Sequence, residues 1–234
     1  MNALQLDVGQ LLAALPLFSA LSPHERERIA QGCQLKQVSR GGVLFRTGDA
    51  CEAFYVVVSG QIRLFVASPS GQEKVIEIIG PGHSFAEAMV FLGQPHIVNA
   101  QALADTLLVC VCKQAVFGEV ERDPRFALRM LAGISRRLHG LIQDVESYAL
   151  HSGMQRLIGY LLREVETTAA QGSPEAGVTI TLPASKATIA SRLSLTPEYF
   201  SHVLHELEAQ GLIQIDKRDI RIQDVKQLAC FGSH

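Results

Sequence analysis

The 234-residue chain has no surplus of positive charge: 21 Lys and Arg stand against 23 Asp and Glu, a formal balance of −2. Many nucleic-acid binders are basic. Any DNA contact here must therefore rest on local basic spots, with weak hold on random sequence at physiological salt. The chain also lacks paired cysteines at metal spacing. Cys33, Cys51, Cys110, Cys112 and Cys230 include no C-x-x-C, which removes the common zinc and thioredoxin-type motifs. An odd number of thiols without an export signal fits reduced cysteines and a cytoplasmic location. Long apolar runs are missing too. The leucine-rich stretch at 11–15 has no basic flank before it and is broken by Pro16, and no segment approaches a membrane span. Enzyme signatures are equally scarce. Gly80-Pro-Gly82 does not continue into a dinucleotide fingerprint, no phosphate-cradling loop carries a Lys, and there is no Gly-x-Ser-x-Gly elbow. The expectation is a protein that binds rather than catalyses.

What is present is concentrated at residues 185–210, which read as two helices joined by a tight turn at Ser194-Leu195. Ser185 is a natural N-cap for the first, whose apolar face is Ile189, Ala190 and Leu193. Thr196 caps the second, Pro197 suits its first position, and Glu198 favours the positive end of the dipole. Phe200, Val203, Leu204 and Leu207 form a buried stripe and Gly211 stops the helix. Thr196, Glu198, Tyr199, Ser201, His202 and His205 are left on the outer side, as a helix reading the major groove requires. Lys186 and Arg192 on the first helix add cations. A buried helical hairpin would look similar, but residues 212–222 alternate apolar and polar around a charged turn, a β-hairpin pattern. That makes a winged helix-turn-helix, with Lys217 and Arg218 at the wing tip facing phosphates. His202 and His205 have a spacing that can bind metal on a helix, but His-Glu-x-x-His is not completed, and two exposed polar residues is the plainer reading.

Upstream, residues 1–34 read helical in pieces, one starting at Ser22-Pro23 with Glu25 three positions on. From 35 to 111 come short strands at 43–45, 53–58, 61–66, 74–79 and 107–111, separated by Gly48, Ser59-Gly60, Pro69-Ser-Gly71 and Gly80-Pro-Gly82, as in a sandwich or barrel. A helix-like segment at 84–92 interrupts them. Residues 124–150 predict a long helix. Leu131, Ile134, Leu138, Leu141, Val145 and Tyr148 fall at steps of three and four, a heptad seam for a second copy of the chain, where a core-facing helix would show a broader stripe. His151-Ser-Gly153 is a hinge, 154–168 a further helix, and 169–177 a small-residue loop. The fold class is α+β: an N-terminal sensing domain at 1–120, a dimerisation helix at 121–150 and a DNA-binding domain at 151–234.

A Gly-punctuated β-roll, a long helix and a C-terminal winged helix together resemble the CRP/FNR superfamily of bacterial transcription regulators over nearly the whole chain. The likeness is most specific at Gly60-Gln-Ile-Arg, at Gly80-Pro-Gly82 with Phe85-Ala-Glu-Ala-Met-Val-Phe91, and at Leu195-Thr-Pro-Glu-Tyr-Phe-Ser201. The roll would then be a jelly roll like that of cyclic-nucleotide-binding domains. The Phe-Ala-Glu-Ala-Met segment is most similar to the dissimilatory nitrate respiration regulators, which answer to nitric oxide through haem. The resemblance puts an effector pocket at Phe85, Glu87, Met89, His96, Ile97 and Val98. Haem ligands would come from His83, His96, His139, His151, Met89, Cys110 or Cys112, although each alone reads equally as a solvated or packing residue. Cyclic AMP is not expected. Its receptors carry an Arg-Ser pair after the Glu matched by Glu87, whereas this chain has Pro95-His-Ile-Val98, which would leave a phosphate without its charge-assisted bonds. Only Cys33 precedes the roll, so no iron–sulfur cluster is expected. The resemblance further implies double-stranded DNA with TTGAT-like half-sites, RNA polymerase as a partner of an activator, and no membrane. FNR-like readers have Glu-x-x-Ser-Arg where this chain has Glu198-Tyr-Phe-Ser201-His202. His cannot grip guanine with two donors as Arg does, a loss of roughly 1–3 kcal/mol of discrimination, and it adds a pH dependence. A ligand-independent DNA binder, or a ligand-binding module acting through protein contacts, are the other readings of the same sequence.

Overall fold

The structure, a computed structural model, describes residues 8–18, 21–169 and 177–232; most of the small-residue loop expected at 169–177 lies outside them. Two short helices, α1 (Val8–Ala14) and α2 (Pro23–Gln31), come first. α2 starts where the sequence places it. The Glu25 amide donates to Ser22 Oγ at 3.3 Å and the Ser22 amide donates to Glu25 Oε2 at 2.6 Å, satisfying two amides that the first helical turn leaves unpaired.

The roll follows as β1 (Cys33–Val38), β2 (Val43–Phe45), β3 (Ala53–Ser59), β4 (Ile62–Ala67), β5 (Glu73–Ile79), β6 (Ser84–Phe85), α3 (Glu87–Leu92), β7 (Asn99–Ala102) and β8 (Thr106–Cys112). Two four-stranded antiparallel sheets, ordered β1-β8-β3-β6 and β2-β7-β4-β5, face each other. The period of two sorts the strands' side chains. Tyr55, Val57, Leu108, Phe85, Ile62, Leu64 and Phe45 fill the space between the sheets. Phe54, Val56, Val109 and Val111 point the other way, onto Leu12, Ile29, Val116, Phe126 and Met130 of the helices and Phe18 of the turn after α1. β3 is thus covered on both faces, which is why it reads as an unbroken apolar run. Gly60 turns β3 into β4 with φ +82, and a Cβ there would lie 2.5 Å from Asp105 O and from Thr106 Oγ1, so no larger residue fits.

After α4 (Lys113–Arg122), α5 (Pro124–Leu150) runs for 27 residues. Only His151 and Ser152 separate it from α6 (Gly153–Ala169), whose start is pinned by reciprocal bonds between Ser152 and Gln155. Then come β9 (Val178–Thr181), α7 (Lys186–Arg192), α8 (Pro197–Ala209), β10 (Ile213–Asp216), β11 (Asp219–Ile222) and α9 (Val225–Phe231), with the three strands in the order β10-β11-β9. Leu157, Leu161, Ile180, Ile189, Phe200, Val203, Leu204, Leu207, Ile220 and Leu228 make this part's core. The chain divides into two compact units, one ending at Gly140 and one beginning at Leu141. Among the described residues no helix is long and apolar enough to cross a membrane.

Candidate nucleic-acid interface and effector cleft

The helix-turn-helix is built by its caps. Ser185 Oγ accepts from the Thr188 amide and Thr196 Oγ1 from the Tyr199 amide, both at 3.2 Å. Ser194 takes a left-handed conformation, φ +55, and the Leu195 amide closes the turn onto Ala190 O at 2.9 Å. Burial of Phe200, Val203, Leu204 and Leu207 forces the opposite side of α8 outward. Thr196, Glu198, Tyr199, His202 and His205 are exposed and Ser201 is half-buried. The two imidazoles sit beside acids of their own helix, His202 3.9 Å from Glu206 and His205 3.5 Å from Glu208. α8 carries no Lys or Arg at all.

The cations predicted around it are placed unequally. Lys217 is exposed at the tip of the β10–β11 turn, in a left-handed conformation. Lys186 is half-buried at the start of α7. Arg218 is exposed but donates from Nε and Nη2 to Leu182 O, at 3.2 and 2.7 Å, stapling the wing to the segment between β9 and α7. Arg192 corrects the sequence reading: it turns inward, where its guanidinium bonds the Asp144 carboxylate and the Tyr148 hydroxyl. Asp144 is buried, and a buried carboxylate draws the nearest cation because it cannot be left unpaired.

Two residues of this site escaped the sequence reading. Arg156 donates to Leu193 O at 2.9 Å and Ser194 O at 3.3 Å, holding the turn. Gly153, read only as a hinge, lies against the recognition helix. A Cβ on it would stand 2.9 Å from Leu195 Cδ2 and closer still to the ring of Tyr199. Its position next to a helix-starting Ser was the only available signal.

In the N-terminal unit, Ala86 adopts φ +72, a conformation that an L-residue holds only at a cost, and it turns the chain from β6 into α3 so that Glu87 points inward. Arg137 of α5 meets Glu87 at 3.5 Å, Glu77 at 2.6 Å and Ser84 O at 3.0 Å. Beside this cluster opens a cleft of about 560 Å³, lined among others by Leu17, His83, Glu87, Arg129, Gly133 and Arg136. Of the six pocket residues expected from sequence, Glu87 alone lines it. Phe85 is buried between the sheets against Tyr55 and Phe45, and Val98 packs on the same core. Met89 packs against the helix-side core, and Ile97 is 63 % exposed.

The haem-ligand candidates separate in the same way. His96 is buried with its ring flat on Phe45, centroids 3.5 Å apart. Burial holds it below the ordinary histidine value, partly offset by Asp49. The neutral ring is the folded form, so stability is full above pH ~6.5. It falls below that, as the unfolded chain takes up a proton first. His96→Phe should lose less melting temperature than the wild type between pH 7.5 and 5.5; equal losses would place the effect elsewhere. Cys110 is half-buried and burial pushes its thiol up, away from the thiolate that ligates metal. His139 and His151 are exposed on or just after α5. His83 differs from all of these. Its Nδ1 donates to Pro81 O at 3.1 Å, and the residue lines the cleft.

On α5, Leu131, Leu138 and Val145 of the expected seam are exposed, at 58, 58 and 67 %, and Leu128 and Ile142 join them. Ile134 instead lines the cleft, Leu141 is half-buried, and Tyr148 is occupied by Arg192.

Comparison with known proteins agrees with this division. A family model described as a cyclic nucleotide-binding domain matches residues 35–123, and one described as a Crp-like helix-turn-helix domain matches 155–231. The chain is similar to the cyclic AMP receptor protein of Thermus thermophilus, 24 % identical over 91 % of this chain and 94 % of the other. It is also similar to the solved structure of DNR from Pseudomonas aeruginosa, 33 % identical over 99 % of this chain and 100 % of that one, with a TM-score of 0.50. FixK2 from Bradyrhizobium japonicum superposes better, TM-score 0.75 over 85 % of this chain and 96 % of the other, at 21 % identity.

Proposed function

Since this chain belongs to the CRP/FNR family of transcription regulators, a DNA-binding regulator with an effector domain and not an enzyme, we propose that it acts in the cytoplasm as a homodimer switched by nitric oxide through haem. The observation that carries the DNA reading is the capped α8, with an outer face of Glu198, Tyr199, His202 and His205 and an inner face wholly buried. Two such helices, one per subunit, enter successive major grooves ~34 Å apart. Glu198 accepts from a cytosine amino group, Ser201 lies near a thymine, and His202 contacts the guanine with one donor. Lys186 and Lys217 meet phosphates.

Leu131, Leu138, Ile142 and Val145 supply the dimer seam, since exposed leucines at heptad spacing are an unstable surface for a lone helix. Leu138→Glu should convert dimer to monomer by light scattering; a dimeric variant would move the interface elsewhere.

His83 and the cleft fit a haem better than the other candidates do. A ring nitrogen fixed by a backbone carbonyl leaves Nε2 for iron, and Leu17, Ala132 and Ile134 offer apolar walls. Bound haem supplies an iron that nitric oxide can ligate. The chain's own part is to register that event through α5, whose Arg137 grips Glu77, Glu87 and Ser84 O. An effector changes DNA affinity only by binding two arrangements differently. Cyclic AMP fits poorly: Glu87 already faces Arg137, and residues 93–98 contain no Arg for a phosphate. RNA polymerase is the second partner if the protein activates.

The test is anaerobic fluorescence anisotropy on a TTGAT-palindrome duplex at fixed salt, with haem-loaded protein. Tightening only with nitric oxide supports the whole reading. Specific binding that ignores nitric oxide keeps the regulator and removes the effector. Equal binding to scrambled DNA in both states removes the TTGAT site and leaves a protein-contact role.

A further inference from the structure

The cleft in the N-terminal unit is charged asymmetrically. α5 lays Arg129, Arg136 and Arg137 along it, facing two carboxylates, Glu77 and Glu87. Arg137 takes both acids. Arg136 is exposed and forms no ion pair among the described residues. Arg129 is half-buried at the cleft: its Nε and Nη2 are closed to solvent and make no hydrogen bond, its guanidinium lies 5.8 Å over the Phe126 ring, and its nearest acid, Asp123, stands 3.8 Å off and is held at 2.9 Å by Arg125. A guanidinium has five donors matched to planar oxyanions, so two arginines with no hydrogen-bonded acid on one wall of the cleft offer negative charge a place to bind.

The floor between them completes the shape. Arg129 and Arg136 are seven residues apart, so their Cα atoms lie about 10 Å apart along the helix. The helix between them presents Ala132 and Gly133, and a Cβ on Gly133 would meet nothing within 4 Å. The opposite wall sets Leu17 and Gly82-His83 beside Glu77 and Glu87, the two acids that Arg137 pairs. Small residues flanked by two arginines leave room for a flat or slender ligand body with an acidic group at one or both ends.

From this we infer that the cleft is a carboxylate-binding site, in which Arg129 and Arg136 hold the acid groups while Arg137 stays locked to the roll. The inference rests on the reading of this cleft as the effector site and gives the class of ligand it takes. Two sources share that chemistry: the propionates of haem, and a free aliphatic diacid.

Full-length protein titrated with haem, with its dimethyl ester and with succinate separates them. For haem carboxylates, the ester binds at least roughly tenfold more weakly than haem, one charge-assisted pair's worth, and Arg129→Gln with Arg136→Gln abolishes the difference. For a free diacid, succinate raises the melting temperature of the wild type. Arg136→Gln cancels that rise, while His83→Ala leaves it intact. Gly133→Leu, which fills open space and favours the helix, should block either ligand without loss of fold. Haem and its ester binding alike, with succinate inert, would overturn the inference while leaving haem in place. Absence of all binding, with operator DNA still recognised, would overturn it and remove haem, but not the regulator.

Discussion

Arg192→Met is expected to destabilise the C-terminal unit by about 3–5 kcal/mol, the usual result of stripping the partner from a buried charge. Asp144 is buried, and without Arg192 its nearest cation is Arg163 at 3.9 Å. The Tyr148 hydroxyl also loses the guanidinium as a donor. Urea unfolding of the single variant should show the loss, and the double variant Arg192→Met, Asp144→Leu should recover most of it, since neither charge is then left unpaired. A DNA-contacting arginine behaves in the opposite way: its loss weakens DNA binding, increasingly so at low salt, and leaves stability nearly untouched. The same pair of measurements therefore separates the residue's structural place from the one its sequence position suggested. An unchanged midpoint for Arg192→Met would return it to the DNA face.

Gly153→Ala is expected to cut operator affinity by tenfold or more with the unit still folded. The added methyl falls on the Tyr199 ring and within 2.9 Å of Leu195 Cδ2. Overpacking of this kind costs about 1–3 kcal/mol, and the cheapest relief is to swing Tyr199 and tip the first turn of α8. The affinity loss follows because the base contacts proposed for Glu198 and Ser201 depend on that turn. Gly153→Ala combined with Tyr199→Ala relieves the crowding, so the glycine's share of the loss should vanish in the Tyr199→Ala background. Additive losses in anisotropy would show that the methyl acts elsewhere.

Local rules made most of the fold legible. Caps at Ser22, Ser185 and Thr196 depend on side chain and backbone within three residues, so sequence places them well. β7, Asn99–Ala102, was not legible, because a stretch of Asn, Ala and Gln has little strand preference and is extended only by pairing with β2 and β4 on either side. The sites were harder. His96 looked like a pocket residue because it lies near Glu87 in sequence, yet its ring is sealed on Phe45. Arg129 and Arg136 carried no role in the sequence, and only the placement of Leu17 and Gly82 opposite makes them walls of a cleft. The heptad positions expected on α5 are only partly exposed, because α5 has to serve its own chain as well. Ile134 and Tyr148 are taken by the cleft and by Arg192, so the exposed stripe moves over to Ile142.

A recognition helix with no lysine or arginine alters how such a regulator is shared out over a chromosome. Non-specific DNA competes in vast excess, and its hold on a protein grows steeply with the number of phosphates neutralised. With no permanent cation on that helix, the protein is expected to be sequestered little by the bulk of the genome, which weak binding to random duplex with a shallow salt dependence would show. On the proposed function, occupancy of a promoter should then be governed by the contacts made at that promoter and by the effector state.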